Sequence, residues 1–449
     1  MKRLYTLLII LFSIVAANPL VAAPAAAPPI SKTVLSNGLV AIVKPEPGTG
    51  LIAIEAFVKA GAPQERDTQV GIGNLVARAL LSSTRSRSQE RLAAAFDEVG
   101  GAFQTDWSPD VTDVSAITTK QGFDDAMNII ADVLLNAEFD PTVVQRTQRA
   151  ELADIKRSAD DVAGSAYTQL LEALYKDNPY RRPKSGYASS VGRLTRDDLL
   201  AFYRKYYVPS NMVISVAGDV TTEQVVERLN KAFAGSDAGG SIAQRPFGDE
   251  TLTQSVTKIA ERNIPAAYIV LGFLAPGVSN PDFPALVVAN AILGGGKASR
   301  LFTGVREKRG IGYEIGSIYP IFKLQSHLAA MLVTDLYKPT LPGFPREMAL
   351  QDAKDAILKE ISLLKDQPVS DEELLRAKRY VIGTYALRHQ RLRERAYHLG
   401  WMEAIGVGYQ FDLNYDRIID SVTKADVQRV ARKYLNNYAM VLSLPKSSL

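Results

Sequence analysis

The feature of this sequence that most limits its fold is an internal repeat. Residues 195–216 read TRDDLLAFYRKYYVPSNMVISV, and residues 423–444 read TKADVQRVARKYLNNYAMVLSL. Matching residues keep one constant register between the two copies. Each copy starts with a threonine that can cap a helix, continues with an acidic first turn, and ends in an apolar stretch typical of a strand. A chain with such a repeat is expected to fold as two similar domains.

Looser similarities extend the repeat over both halves of the chain. LIAIEAFVKAG (51–61) and AYIVLGFLAPG (267–277) both read as apolar strands that lead into glycine. Between the halves, residues 234–250 are rich in Gly, Ser and polar residues, as in a linker. We therefore predict an α+β fold with two tandem homologous domains, residues 30–233 and 251–449. Each would be a mostly antiparallel sheet with helices packed on one face.

Residues 1–23 are predicted to be a secretory signal peptide rather than part of the fold. Lys2 and Arg3 precede an apolar run, and small residues then lead into PAAAPPI. An uncleaved membrane anchor is the alternative, although the apolar run is short and is broken by Asn18 and Pro19. Because the signal has a bacterial character, we expect a periplasmic protein that has no membrane contact once the signal is removed.

Composition excludes several other classes of function. The chain contains no cysteine, so disulfides, thiolate metal sites and cysteine nucleophiles are absent. The formal net charge is only +4 for 449 residues. Since no basic stripe with interleaved aromatic residues occurs, nucleic acid is a poor candidate for a partner.

Five stretches of the sequence resemble the pitrilysin/insulinase family of zinc peptidases, in particular its small subunits. They are SNGLVAIV (36–43), VKAGAPQE (58–65), DNPYRRPKSG (177–186), YYVPSNMVISVAGDV (206–220) and LGGGKASRLFTGVREKRGIGY (293–313). Their order and spacing cover nearly the whole mature chain, although no single stretch is decisive. The resemblance implies two tandem domains of one fold, and pairing of two chains into a clam-shaped dimer around a closed peptide chamber.

The resemblance also implies where a zinc site would lie, and the ligands are missing there. Active members carry His-x-x-Glu-His on a helix, where the two histidines share one face and bind Zn²⁺ while the Glu acts as general base. In the matching NLVAR, these positions hold Asn74, Ala77 and Arg78. The region of the third ligand offers Asp154 at about the expected position, with Glu151 nearby. One carboxylate cannot hold zinc alone, so we predict no metal or other cofactor in this chain.

Other positions agree with this loss of zinc ligands. Active members carry Gly-Gly-x-x-Asn-Ala on the strand after the motif helix, where the Asn helps to hold the substrate, whereas Gln104 and Thr105 occupy the last two positions here. The three histidines of the chain are His327, His389 and His398. The last two are nine residues apart and would face apart on a straight helix, which favours surface or interface roles over metal binding.

The C-terminal half keeps a family pattern in SRLFTGVREKRGIGYEIGS (299–317). We expect a helix over about 298–308 that ends at Gly310, and a strand that begins near Tyr313. A tight turn between them would bring Arg306 and Tyr313 to one surface. The resemblance implies that an Arg and a Tyr at this spacing reach the zinc site of the other half and stabilise the developing oxyanion. Without the resemblance, both would be ordinary structural residues.

Two hypotheses of function remain open at this level. In the first, the chain is the non-catalytic subunit of a heterodimeric periplasmic zinc metalloendopeptidase and is inactive alone. It would form half of the peptide chamber and donate Arg306 and Tyr313 in trans. The zinc would lie on a related partner chain with an intact motif, and the substrates would be unfolded peptides. In the second, the chain is a pseudo-enzyme, either a homodimeric peptide-binding protein or an assembly scaffold.

Overall fold

The computed structural model describes residues 29–240, 242, 245–336 and 345–446. The strands are β1 (Ser31–Val34), β2 (Val40–Pro45), β3 (Leu51–Val58), β4 (Ala102–Trp107), β5 (Thr112–Thr119), β6 (Met212–Gly218), β7 (Val256–Arg262), β8 (Ala267–Ala275), β9 (Glu314–Ile318), β10 (Ser326–Thr334) and β11 (Ala439–Pro445). The predicted signal peptide, residues 1–23, lies outside the described residues.

Helices connect and cover these strands. They are α1 (Ile72–Leu80), α2 (Gln89–Glu98), α3 (Phe123–Asn136), α4 (Pro141–Asp160), α5 (Val162–Leu174), α6 (Ala188–Val191), α7 (Arg196–Tyr206), α8 (Thr222–Ala232), α9 (Phe283–Gly294), α10 (Arg346–Asp366), α11 (Asp371–Leu387), α12 (Leu392–Ala404), α13 (Gln410–Leu413), α14 (Tyr415–Asp420) and α15 (Lys424–Tyr434). A π-helix, Leu301–Glu307, precedes β9. None of the described helices is both long enough and apolar enough to span a lipid bilayer.

The strands form two sheets of the same topology. Their orders are β1-β2-β6-β3-β5-β4 and β7-β11-β8-β10-β9. Apart from the additional β1, the two orders match strand for strand. Each sheet has one parallel pair, β2 with β6 and β7 with β11, and all its other pairs are antiparallel. The predicted α+β class with two similar, mostly antiparallel domains is therefore confirmed.

The sequence repeat corresponds to the same local structure in both halves, α7 followed by β6 and α15 followed by β11. Each helix begins with a capping box. The amide of Asp198 donates to Oγ1 of Thr195 at 3.2 Å, and that of Asp426 donates to Oγ1 of Thr423 at 3.1 Å. In return, the hydroxyl and the amide of each threonine donate hydrogen bonds to the carboxylate of its aspartate. These bonds lower the pKa of Asp198 and of Asp426. These reciprocal bonds satisfy backbone donors at the helix start and fix where both helices begin.

Each sheet packs its own helices on one face, as the sequence predicts, and its second face is also covered. The residues of β3 reveal what covers each face of the N-terminal sheet, because successive side chains of a strand point to opposite faces. Ile54 and Ala56 belong to the N-terminal core. Phe57 belongs to the cluster that contains the C-terminal helices. All three side chains are fully buried, so this sheet lies between two layers of helix.

The helix on the second face comes from the opposite half of the chain. Helix α5, of the N-terminal half, packs on β8 and β11, and α12, of the C-terminal half, packs on β3 and β6. At Gly272 of β8 a Cβ atom would lie 2.9 Å from the side chains of Leu170 and Leu174. At Gly400 of α12 a Cβ atom would lie 2.4 Å from Oγ of Ser215. The two halves thus exchange one helix each in a symmetric manner.

The predicted linker contacts both halves. Glu250 accepts hydrogen bonds from the amides of Asp177 and Asn178 at 2.9 and 2.7 Å, while its own amide donates to Gln325 at 2.8 Å. The N-terminal sheet lies within residues 31–218 and the C-terminal sheet within 256–445. The boundaries at residues 233 and 251 themselves stay predictions.

Candidate functional site

Helix α1 carries Asn74, Ala77 and Arg78, the residues that the resemblance places at the zinc-binding positions. It begins after Gly71, whose φ of 95° suits glycine. The buried carboxyl of Glu65 accepts hydrogen bonds from the amides of Gly71 and Gly73 at 3.1 and 3.0 Å. Burial raises the pKa of Glu65 to about 7, although these two hydrogen bonds by themselves lower it. At Gly73 a Cβ atom would lie 2.2 Å from the indole nitrogen of Trp107, so the helix packs closely against β4.

A buried polar network occupies the face where the zinc ligands would stand. The side-chain amide of Asn74 donates to Oε1 of Glu151 at 2.8 Å. The guanidinium of Arg78 donates to Oε2 of Glu151 at 2.5 Å and to Asp154 at 2.7 Å. Glu151 is fully buried, whereas the Arg78 side chain is 37% exposed. These bonds to Arg78 also lower the pKa of Asp154. Helices α1 and α4 are thereby joined at the point where a metal would join them.

Glu151 is the carboxylate that contacts both Asn74 and Arg78. Asp154 lies one turn further along α4 and contacts Arg78, but only Glu151 also contacts Asn74. Residues three apart share a helix face, so either carboxylate is compatible with the sequence spacing. The two carboxylates differ in burial, because the Asp154 side chain is 28% exposed and the Glu151 side chain is not exposed.

Ala77, at the position where the resemblance implies a general base, offers only a methyl group. Ala77 is 2% exposed and belongs to an apolar cluster that includes Trp107 and Leu170 of α5. Its carbonyl accepts a hydrogen bond from Oγ1 of Thr105 at 2.8 Å. An alanine cannot accept a proton from a metal-bound water, and its packing leaves no solvent contact for one.

The donors at this position do not fit a zinc ion. An amide and a guanidinium replace the two imidazoles, and both oxygens of Glu151 already accept hydrogen bonds. Zn²⁺ binds imidazole, thiolate and carboxylate groups, normally three or four together. A guanidinium stays charged and offers no lone pair to a metal. No step of hydrolysis can therefore be assigned to α1 and α4 of this chain.

Arg306 lies in a π-helix rather than in the ordinary helix that the sequence predicts over about 298–308. Its guanidinium lies over the ring of Phe302, 4.8 Å from the centroid. Within the part of the chain that the structure describes, no carboxylate pairs with Arg306. The helical segment ends before Gly310, which has a φ of 66°. Its C-terminal end thus agrees with the predicted position.

Tyr313 lies directly before β9. Its amide donates to the carbonyl of Val333 at 3.1 Å, which joins it to β10, and its side chain is 45% exposed. No hydrogen bond between Tyr313 and Arg306 occurs among the described residues. Both side chains nevertheless remain available, since neither has a committed polar partner there.

The start of the π-helix is firmly attached to α11. Arg300 forms two parallel hydrogen bonds of 2.8 Å with Glu373, the bidentate geometry that holds a guanidinium most rigidly. Buried Ser299 accepts a hydrogen bond from the amide of Phe302 at 3.4 Å. These contacts fix the base of the segment that carries Arg306.

A second polar cluster, centred on the buried Glu55, was not predicted from the sequence. Arg393 of α12 reaches the N-terminal sheet and donates to Glu55 of β3 at 2.7 Å and to Gln104 of β4 at 2.8 Å. Burial raises the pKa of Glu55 to about 8, and the nearby Arg393 opposes this shift. The isolated glutamate in the apolar stretch LIAIEAFV was the available signal, since a charge in a buried strand needs a partner. Its partner lies on the other half, which the sequence does not reveal.

The prediction that His389 and His398 face apart is wrong. His389 and His398 do not face apart, because the chain turns between α11 and α12 and the two rings stack with centroids 4.3 Å apart. The spacing rule was wrong here because it assumed one straight helix. His327 is fully buried, and its two ring nitrogens contact the hydroxyls of Tyr167 and Tyr175 at 2.6 and 2.9 Å.

Fold and site together define a class: a two-domain α+β protein in which an ion pair joins α1 to α4, where the resemblance implies zinc ligands. Residues 41–186 match the family described as insulinase (peptidase family M16), and residues 193–381 match the peptidase M16 inactive domain. The chain belongs to the M16 (insulinase) peptidase family.

Relatives and solved structures agree with this assignment. Proteins named uncharacterized zinc protease are 24% identical in Rickettsia felis (90% of this chain, 94% of the relative) and 27% identical in Mycobacterium leprae (91% and 89%). A protease from Helicobacter pylori superposes with a TM-score of 0.84 at 20% identity, covering 93% of this chain and all of that one. A peptidase M16 inactive domain from Pseudomonas fluorescens superposes with a TM-score of 0.83 at 20% identity, over 93% and 98%. The names of these relatives associate zinc with the family.

Proposed function

We propose that this chain is the non-catalytic subunit of a heterodimeric zinc metalloendopeptidase. The observation that carries the proposal is the network of Asn74, Glu151 and Arg78. It retains the two helices that would hold a zinc ion, yet it fills their meeting point with an ion pair. A chain that keeps the architecture of the site without its ligands is suited to complete the chamber of another chain.

The contribution of this subunit to chemistry would come from Arg306 and Tyr313. Arg306 offers fixed, permanently charged donors, and Tyr313 offers a directional hydroxyl, the two kinds of donor that stabilise a developing oxyanion. A π-helix carries Arg306, and such segments occur frequently at functional sites. In the assembled peptidase both side chains would act in trans on the substrate bound at the zinc site of the partner.

The partner in this proposal is a related chain with an intact His-x-x-Glu-His motif, which holds the zinc and the catalytic water. The substrates are unfolded peptides small enough to enter a closed chamber. The location is the periplasm, as the signal-like residues 1–23 indicate.

Co-expression with such a relative tests the proposal. Zinc content and peptide cleavage would be measured for each chain alone and for the co-purified pair. We expect zinc to follow the partner, this chain alone to be inactive, and the pair to be more active than the partner alone. If the partner alone is fully active and the two chains do not associate, the proposal fails.

A first prediction isolates the role of Arg306. In the pair, Arg306→Ala should lower kcat by about 100-fold without affecting association, because an oxyanion donor acts mainly in the transition state. Lys308→Ala is the matched control, since Lys308 is an exposed cation of the same segment. Steady-state kinetics and gel filtration of both variants check this. Equal loss in the two variants, or unchanged turnover in both, would reduce Arg306 to a structural residue.

One observation favours a second candidate, a scaffold without a role in catalysis. Gln104 stands where the resemblance places a substrate-holding Asn, and its carbonyl is already engaged by Arg393. In that case the N-terminal half would bind peptide poorly. Homodimers that bind neither peptide nor an intact-motif relative would favour this candidate.

A further inference from the structure

The corner between α11 and α12 gathers three side chains that can bind a metal ion. His389 follows the end of α11, His398 lies on α12, and Asp412 lies on α13. One ligand atom from each lies within 4.8 Å of the others, and this is the only such His, Cys, Asp or Glu group among the described residues. The Nε2 atom of His389 lies 2.9 Å from Oδ1 of Asp412.

The hydrogen bonds of His389 leave a place for a cation. Its Nδ1 atom lies 2.8 Å from the carbonyl oxygen of Tyr385. A carbonyl can only accept, so Nδ1 must carry a hydrogen, and Nε2 of the neutral ring then presents a lone pair. That lone pair faces a carboxylate oxygen, which is also an acceptor. A proton or a metal ion must therefore lie between Nε2 and Asp412.

His398 adds a ring nitrogen that lacks a partner. Its Nδ1 atom is buried and has no hydrogen-bond partner within the described residues. Buried polar side-chain atoms are nearly always paired, so an orphan beside two other potential ligands requires an explanation. The adjacent hydroxyl of Tyr385 donates to Oδ1 of Asp412. Such outer contacts orient the ligands of metal sites.

We propose that His389, His398 and Asp412 bind one divalent transition-metal ion of the zinc type. Two imidazoles and one carboxylate suit this class of ion, whereas Ca²⁺ and Mg²⁺ prefer oxygen ligands alone. Zn–N and Zn–O bonds of about 2.0–2.2 Å place neighbouring ligand atoms roughly 3–3.5 Å apart. The separation of 2.9 Å between His389 and Asp412 needs only a small opening, and His398 closes the triangle by a side-chain rotation.

The site is independent of the proposed zinc peptidase centre, which would lie on another chain. It joins the ends of α11 and α13 to α12, the helix that covers the N-terminal sheet. A bound ion would hold this corner in place and would thereby stabilise the contact between the two halves. It would do so whether or not the chain pairs with a peptidase partner.

The three histidines of the chain make a test possible without mutation. In full-length protein free of any histidine tag, ¹⁵N-labelled histidine rings give signals from His327, His389 and His398 alone. Stepwise Zn²⁺ should shift two sets of ring signals at one equivalent, and the buried His327 should stay unchanged as an internal control. Unchanged signals from all three rings would overturn the proposal and assign a proton to the contact between His389 and Asp412.

Variants then assign the carboxylate. Asp412→Asn should weaken Co²⁺ or Zn²⁺ binding by more than the roughly 10- to 100-fold that loss of an outer partner causes. Asp416→Asn, an exposed aspartate four residues further on, should bind as the wild type does. Tyr385→Phe keeps the aromatic stacking and should weaken binding by about 10-fold. Equal affinity in the Asp412 and Asp416 variants would contradict the assignment, and circular dichroism checks that each variant is folded.

Discussion

At the scale of single residues, Arg78 joins two helices at the place where the resemblance implies a metal ion. Zinc in such a site would join ligands from two helices, and here one guanidinium joins Glu151 and Asp154 of α4 to α1. A buried carboxylate without a counter-charge is costly. The bonds to Arg78 and Asn74 supply that compensation for Glu151.

Removal of the guanidinium should therefore destabilise the N-terminal half. Arg78→Ala leaves the fully buried Glu151 without its counter-charge, and we expect a loss of about 2 kcal/mol in the free energy of unfolding. Arg157→Ala removes the other, 74% exposed partner of Asp154 and should cost less than about 0.5 kcal/mol. Urea unfolding followed by fluorescence measures both. Similar losses in the two variants would show that burial of Glu151 is not decisive.

Glu55 should contribute to the pH dependence of stability. Its pKa of about 8 in the folded protein lies above its ordinary value of 4.5, so the folded state holds a proton that the unfolded state releases. Its Oε2 atom also lacks a hydrogen-bond partner among the described residues. The stabilisation that Glu55 contributes should therefore be greatest below about pH 4.5 and should be lost as pH rises through about 8.

A neutral side chain at this position should flatten that dependence. Glu55→Gln should lose less stability than the wild type between pH 5 and pH 8, by on the order of 2 kcal/mol. Glu46→Gln is the matched control, because Glu46 also pairs with an arginine of α12 but has a lowered pKa, and it should leave the slope unchanged. Urea unfolding at several pH values checks both. An unchanged slope in Glu55→Gln would show that Glu55 is already ionised at pH 5.

At the scale of elements, the exchange of α5 and α12 distinguishes this fold from two separate domains. The strands beneath both helices are mostly buried on both faces, as in sheets that are covered twice. The helices approach closely because small residues lie at the contacts. Gly400 on α12 meets Ser215 and Phe57, and Gly272 on β8 meets Leu170.

The close contact at Gly400 predicts that alanine there lowers the stability of the protein, the opposite of its usual effect in a helix. Gly→Ala normally stabilises a helix by about 0.5–1 kcal/mol, and Gly383→Ala in α11, where a Cβ meets open space, should do so. Gly400→Ala should instead destabilise by about 1–3 kcal/mol, because its Cβ would lie 2.4 Å from Ser215 and 2.5 Å from Phe57. Thermal unfolding of both variants tests this. Stabilisation at Gly400 would mean that α12 does not seat closely on the sheet.

At the scale of the whole molecule, the exchanged helices make the two halves depend on each other. Residues 29–240 alone would carry α5 without the sheet it covers, and would expose the face of β3 and β6 beneath α12. An exposed apolar sheet face of this kind favours aggregation. The chain should thus behave as one folding unit despite its two sheets.

Separate expression of the halves tests this dependence. Neither residues 29–240 nor 245–446 alone should give a soluble monomer with cooperative unfolding, whereas co-expressed halves should co-purify as a complex. Gel filtration and circular dichroism distinguish these outcomes. A stable monomeric N-terminal half would show that the helix exchange contributes little to stability.

Much of this architecture could be predicted from particular residues. The caps at Thr195 and Thr423 and the apolar strands predicted two similar halves, because these signals act within a few residues of chain. The resemblance to the family singled out Asn74, Ala77 and Arg78, since a motif on one helix can be matched position by position along the sequence. Local reasoning failed at His389 and His398, where a turn of the chain decides which way the rings face.

The sequence by itself determined the family, the repeated α+β fold and the absence of zinc ligands on α1, because each depends on local pattern. Only the tertiary structure decided that Glu151 meets Asn74 and Arg78, that Arg393 reaches Glu55, and that two histidines lie near Asp412. These contacts join residues that are distant along the chain. Their formation depends on how helices pack across the two halves, and no local spacing encodes that packing.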